Sequence, residues 1–251
     1  MSMDAGSFEP AIQRRLSPFE AVGRGFALVQ SRLGPSLGVG LFALGFQFVG
    51  VIPWIGWVIA LLATAAATAG CYRYGLEAVR GQNPEFEVVV SGFKRWWPVT
   101  ATFGLAAAIP MLAAAPLLGI AGAMGFLQAI STITSETRAQ SLTLLPAMVA
   151  FGVVCLPLGM WLSYRLVFAP FIQMDENPPG PIDCIKRSWE ITRGSWWRIF
   201  GLFLLIGLIA IAGVCLCGVG LIAAIPVIFY AFAHAYEQLR AREFENSVPR
   251  A

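Results

Sequence analysis

Charge is what this chain has least of: only 12% of its 251 residues are Asp, Glu, Lys or Arg, where a soluble domain carries about 25%. Histidine is reduced to His234 alone. No carboxylate or cysteine stands at ligand spacing beside it, so it reads as a polar interface residue near the end of the last apolar run, not as a metal ligand or general base. The five cysteines, Cys71, Cys155, Cys184, Cys215 and Cys217, are odd in number and lie mostly in apolar surroundings. They read as small membrane-helix residues, not as a disulfide framework. Cys215 and Cys217, between Gly213 and Gly218, read as a tightly packed turn in preference to a redox pair. There is no GxGxxG after a strand, no GKS/T and no HExxH, so no catalytic, cofactor-binding or metal site is predicted. A net charge of +3 is too slight an excess to predict a nucleic-acid partner. The first 16 residues hold no apolar run of signal-peptide length, and no cleaved signal is expected.

What fills the chain instead is apolar: 57% hydrophobic residues and a mean hydropathy of +0.71, values of a membrane protein. Six runs approach the length of about 20 residues needed to cross a bilayer. Gly34 to Val51 and Trp54 to Tyr72 are joined only at Ile52-Pro53, which makes them a hairpin. Val99 to Leu127, with Pro110 and Pro116, is followed by a Ser/Thr-rich loop, Ser131 to Ser141. Leu142 to Tyr164 carries Pro146 and Pro157, and prolines inside spans predict kinks met by neighbouring helices. Trp196 to Cys215 and Val219 to Tyr236 close a third hairpin, and a charged tail starts at Glu237. Gly119, Gly122 and Gly125 suit close helix packing.

Before each pair of runs stands a short amphipathic segment. Ser17 opens the first with a capping box, Pro18 at the first helical position and Glu20 reaching back. Phe19, Val22 and Phe26 then fall at i, i+3 and i+7, a narrow apolar stripe flanked by Arg24 and Arg32, as in a helix lying in the membrane interface. Phe86, Val89 and Phe93 repeat the stripe before Lys94-Arg95-Trp96-Trp97. Three adjacent valines there also read as a strand, and the repeat favours the helix. Ile182, Ile185 and Trp189 form the third stripe, begun at Gly180-Pro181 and ended at Gly194. One constant offset aligns Pro18, Glu20, Arg24 and Phe26 with Pro181, Asp183, Arg187 and Trp189. Asp183 and Arg187 are at ion-pair spacing on this helix. Met174 to Asn177, before Pro178-Pro179-Gly180, reads as a solvated turn and not as a cation site.

The expected fold is therefore all-α and polytopic: six transmembrane helices as three hairpins, each preceded by an interfacial amphipathic helix. Residues 1–16 form a flexible tail, 17–240 a single membrane domain of pseudo-repeats 17–80, 85–170 and 181–240, and 241–251 a C-terminal tail. Each unit crosses an even number of times, so the three share one orientation, unlike inverted transporter repeats. All 17 basic residues except Arg138 then fall on one side, which the positive-inside rule makes cytoplasmic, with both termini. No charged residue lies well within a span, which disfavours an ion-coupled pump.

Val79 to Pro98, VRGQNPEFEVVVSGFKRWWP, and Phe168 to Phe200, with its Lys-Arg-Ser-Trp before Trp-Trp, resemble hallmark segments of an uncharacterised bacterial family of six-span integral membrane proteins. That family is similar to the membrane domain fused to some glycerophosphodiester phosphodiesterases. The resemblance implies an inner-membrane location; no phosphodiesterase domain is in this chain, so it implies no such activity. The expected function is a non-enzymatic inner-membrane protein that organises anionic lipid or a membrane-protein partner through a basic cytoplasmic face. Its expected headgroup or partner contacts are Arg24, Lys94, Arg95, Lys186, Arg187, Trp189, Trp196 and Trp197. A channel or transporter for a small solute or lipid, with its pathway between the hairpins, is the alternative.

Overall fold

In the computed structural model, residues 16–49, 56–133, 157–175, 178–216 and 219–247 are described, and among them every regular element is a helix. Ser17 starts α1, Pro18–Ser31: its hydroxyl oxygen accepts from the Glu20 N–H at 3.4 Å, and Pro18 takes the first helical position. The reciprocal half of the capping box does not form. The Ser17 N–H donates to Gln238 Oε1 at 3.1 Å, and Glu20 turns to Arg24 at 2.7 Å. A tertiary acceptor has displaced the local one.

The remaining elements follow in order: α2, Leu33–Val49; α3, Gly56–Val79; α4, Glu87–Lys94; and α5, Trp96–Ile133. The helical stretch 157–166 is α6. Then come α7, Ala169–Gln173; α8, Pro181–Ile191; α9, Trp196–Cys215; and α10, Val219–Ser247. The valine run is helical, as the repeat predicts, because Val89 is buried against α3 on the face that also carries Gly92. α5 continues through Pro110 and Pro116 without a break. Among the described residues three helical stretches are long and apolar enough to cross a membrane: Trp96–Ala113, Trp196–Cys215 and Gly220–Glu243. α2 contributes a shorter apolar stretch, Leu33–Phe46. The turns at Ile52-Pro53 and Cys217-Gly218, most of the fourth apolar run, and Cys155 lie outside the described residues.

Two expectations are corrected. The chain does not leave the bundle at Glu237, because α10 runs unbroken to Ser247 with Leu239 buried. Its polar residues find partners on other segments, which favours order over a solvated tail. Gly119 is exposed, with nothing within 4 Å of where a Cβ would stand, while the surroundings of Gly122 and Gly125 lie outside what is described. Close approach falls on other glycines: a Cβ at Gly25 of α1 would meet the Val227 carbonyl oxygen of α10 at 3.0 Å, and one at Gly92 of α4 would collide with the Ala66 carbonyl of α3.

Each amphipathic helix lies across helices from elsewhere in the chain: α1 on α9 and α10, α4 on α3, α8 on α5 and α7. The core at their meeting point is aromatic. Phe171 of α7 stacks on Tyr72 of α3 at 4.1 Å between ring centroids and on Tyr236 of α10 at 6.0 Å, with Phe168 and Phe232 beside them. Burying rings of this size supplies apolar area and fixes their mutual geometry.

Candidate functional site

The polar end of the bundle gathers three constellations, and the first lies directly over the aromatic core. Asp175 follows α7. Its Oδ1 accepts from Arg80 Nη2 at 2.9 Å, and its Oδ2 accepts from the Tyr236 hydroxyl at 3.1 Å and pairs with Arg240 Nη1 at 3.0 Å. Arg80 also donates through Nε to Glu237 Oε1 at 2.9 Å, and its Nη2 stands 2.7 Å from the same oxygen. The Arg80 guanidinium is partly desolvated, which alone would lower its pKa; Glu237 and Asp175 together outweigh this and hold it above the ordinary arginine value. Met174 and Asp175 are therefore not a solvated turn: Met174 is buried, and Asp175 joins the end of α3, the segment after α7, and α10 in one ionic knot.

The second constellation is a clamp on α8. The Arg165 guanidinium lies 5.3 Å from the Trp161 ring and 5.0 Å from the Trp189 ring, and donates to the Trp189 carbonyl at 3.2 Å. In return Ser188 Oγ donates to the Arg165 carbonyl at 2.8 Å. Trp189 is thus half committed to α6.

The third is an open cleft of about 640 Å³ between the α4–α5 junction and the start of α8, lined by Arg95, Pro98, Gln173, Pro178 to Pro181 and Arg187. Gln173 is buried, and its Oε1 accepts from Thr102 Oγ1 at 2.9 Å and from the Cys184 thiol at 3.2 Å.

Of the residues expected from sequence, Arg95 and Arg187 are brought together in the cleft. Arg24 is paired with Glu20 at 2.7 Å, and Lys186 with Asp183 at 3.4 Å. The predicted Asp183–Arg187 pair is not made; Arg187 turns instead to Glu243 of α10, at 3.7 Å. Lys94 is exposed at the end of α4. Trp196 stacks on Phe200 at 5.9 Å, while Trp197 projects outward, exposed. His234 is buried on α10 and is not an interface residue. Arg80, Gln173 and Arg165 escaped the sequence reading as site residues, and Asp175 entered it only as part of a solvated turn. Ser188 could have been found, since the constant offset aligns it with Gly25, a second small residue on the same helix face.

Cys184 is buried, and burial, with Asp183 adding to it, pushes its thiol up to about 11. At pH 8 it is therefore protonated as well as covered. A maleimide added to the native protein in mild detergent is expected to modify exposed Cys215 and spare Cys184 until denaturant is added; rapid native labelling of Cys184 would show that α8 is not seated as described. Its silence reports burial and not the side of a membrane.

Comparison with known protein families, with curated proteins and with solved structures gives no match.

Proposed function

We propose that this chain is a multi-pass protein of the bacterial inner membrane, both termini cytoplasmic, which organises anionic lipid or a membrane-protein partner through a basic cytoplasmic face and catalyses no reaction. Six crossings in three hairpins, each preceded by an interfacial helix, accommodate the apolar runs and put all basic residues but Arg138 on that face. The resemblance to six-span bacterial membrane proteins points the same way.

The observation that carries the reading is the two-faced character of α1, α4 and α8. On one face of each, a small residue is buried against a helix of the bundle: Gly25 on α10, Gly92 on α3, and Ser188 bonded to Arg165 of α6. The other face leaves large apolar side chains wholly or half uncovered: Phe19 is 76% exposed, Ile182 63%, and Phe86, edge-on to Phe42, 49%. Bulky apolar groups beside Arg and Lys on a short helix match the boundary between headgroups and acyl chains, where each cation near an anionic surface contributes about 1 kcal/mol.

In nanodiscs of equal phosphatidylcholine and phosphatidylglycerol, native mass spectrometry should find the retained lipid enriched in phosphatidylglycerol. The combined variant Phe19→Ser, Phe86→Ser, Ile182→Ser should retain fewer lipids of either kind. Retained lipid matching the bulk ratio would count against the reading. Protein-dependent solute flux across proteoliposomes would favour the transport alternative, for which Pro110, Pro116 and Pro226 inside α5 and α10 are the supporting feature.

A further inference from the structure

The cleft beside α8 has a donor set that the rest of the polar end lacks. Its cations come from separate segments: Arg95 caps the C-terminus of α4, and Arg187 lies in the second turn of α8. Among the described residues no carboxylate lines it, and Arg187 also meets Glu243 of α10 at 3.7 Å. The α8 N-terminus opens into it through Gly180 and Pro181; Gly180 gives no side-chain cap and Pro181 has no N–H, so the first-turn amides of Ile182 and Asp183 are the donors left at that end. Asp183 lies in the first turn, and Lys186 engages it at 3.4 Å.

The independent observation is Gln173, only 3% exposed and yet part of the cleft wall. Its Oε1 faces the Thr102 hydroxyl at 2.9 Å and the Cys184 thiol at 3.2 Å, which share their single hydrogens with the Pro98 carbonyl at 2.9 Å and the Pro179 carbonyl at 3.6 Å, and among the described residues its Nε2 makes no hydrogen bond. A carboxamide in the cleft wall whose Nε2 makes no hydrogen bond to a described residue can donate to a ligand or to water. Two guanidinium groups, an amide NH2 and a helix N-terminus together match an oxyanion with several acceptor oxygens. Beside the cleft, Trp96 and Trp97 are exposed at the start of α5, in the position of interface-anchoring rings.

We propose that this cleft binds a phosphate group, clasped between Arg95 and Arg187 with Gln173 Nε2 and the first-turn amides of α8 as neutral donors. The group is carried by a lipid headgroup or by a soluble phosphate, and the chemistry of the site is the same for both. The proposal deepens the lipid-face reading and rests on it only for bringing the cleft to the headgroup level.

The test titrates the full-length protein in neutral detergent with a short-chain phosphatidic acid, read by native mass spectrometry, and separately with inorganic phosphate, read by calorimetry. Arg95→Gln is expected to weaken binding roughly tenfold or more, the loss of one charge-assisted contact. Lys94→Gln removes the same charge one residue away, outside the cleft, and should leave the affinity within about twofold. Both side chains are exposed, so both variants should fold, as gel filtration would verify. Saturable binding of the lipid alone assigns the site to a headgroup, and binding of inorganic phosphate assigns it to a soluble ligand; either, with the Arg95 dependence, supports the proposal. Equal effects of the two substitutions, or no saturable binding of either probe, would overturn it. Phosphatidylglycerol enrichment in nanodiscs that survives Arg95→Gln alongside such a result would leave the lipid-face reading standing without the site.

Discussion

Replacing Arg80 by Met should destabilise the detergent-solubilised protein by about 3 kcal/mol, the lower end of what is lost when one partner of a buried ion pair is removed. The magnitude follows from exposure and from what is left behind. Arg80 is 21% exposed, Asp175 13% and Glu237 28%, so each is largely withdrawn from water without being fully desolvated. The substitution strands Glu237 and removes one of the donors to Asp175 above an apolar aromatic core. Arg73→Met provides the contrast: its i,i+4 pair with Glu77 has the arginine 41% exposed, and such pairs contribute about 0.3–0.5 kcal/mol. Thermal unfolding followed by circular dichroism distinguishes the two. Equal shifts in Tm for the two variants would show that the knot is no more than a surface ion pair. Because Arg80, Asp175 and Glu237 belong to three segments far apart in sequence, the Arg80 variant should also loosen α10, seen as faster amide exchange in its last turns.

Gly92→Ala should cost about 1–3 kcal/mol or more, whereas Gly104→Ala should be neutral or stabilise by up to about 1 kcal/mol. Chemically the substitutions are identical, and the surroundings reverse the sign. A Cβ at Gly92 would strike the Ala66 carbonyl and stand 2.8 Å from the Gly70 amide nitrogen, and one at Gly70 would strike the Val89 carbonyl. Main-chain atoms cannot turn aside as a side chain does, so α4 must lift from α3. At Gly104 on α5 nothing lies within 4 Å, and alanine gains only the lower backbone entropy of the unfolded chain. Yield of monodisperse protein and the unfolding midpoint test the pair. A Gly92→Ala variant as stable as the parent would mean that α4 does not rest on α3 at this distance.

Several parts of the fold were legible in the sequence because their causes are local. Ser17-Pro18 begins α1, Gly180-Pro181 begins α8, and Gly194 closes the α8–α9 turn at φ +77°, a left-handed conformation open to glycine. The stripes led by Phe19, Phe86 and Ile182 were readable for the same reason: helical periodicity needs no partner. The partners of Glu20 and Arg187 were not readable. Spacing offers Ser17 N–H a carboxylate at Glu20, and Arg187 one at Asp183, but Gln238 and Glu243 on α10 compete, and α10 was expected to have ended. Once α10 runs to Ser247, its last turns supply Glu237, Gln238, Arg240, Arg242 and Glu243 to the other segments, with Arg242 donating to Ser195 Oγ at 2.7 Å.

The candidate site divides in the same way. Arg95 and Arg187 were nameable as basic residues on amphipathic helices, yet so were Arg24, Lys94 and Lys186, and composition gives no means of choosing among them. Gln173 had no signal, because a lone glutamine after an apolar stretch becomes distinctive only when a thiol and a hydroxyl from other elements take its oxygen.

By itself the sequence determined the helical class, the apolar runs, the amphipathic helices and most of their starting points, all of which follow from short-range periodicity and from the backbone limits of proline and glycine. Tertiary structure alone decided which face of each amphipathic helix is buried. It selected the small face, with Gly25, Gly92 and Ser188, because only small side chains let one backbone approach another closely enough for contact along its length, and that choice buried Val89 beside Gly92 and left Phe19, Phe86 and Ile182 exposed. It also decided how the charges are used: Asp175 is held because three segments converge on it, Arg187 lines the cleft while pairing with Glu243, and Arg95 faces a cleft that among the described residues no carboxylate lines.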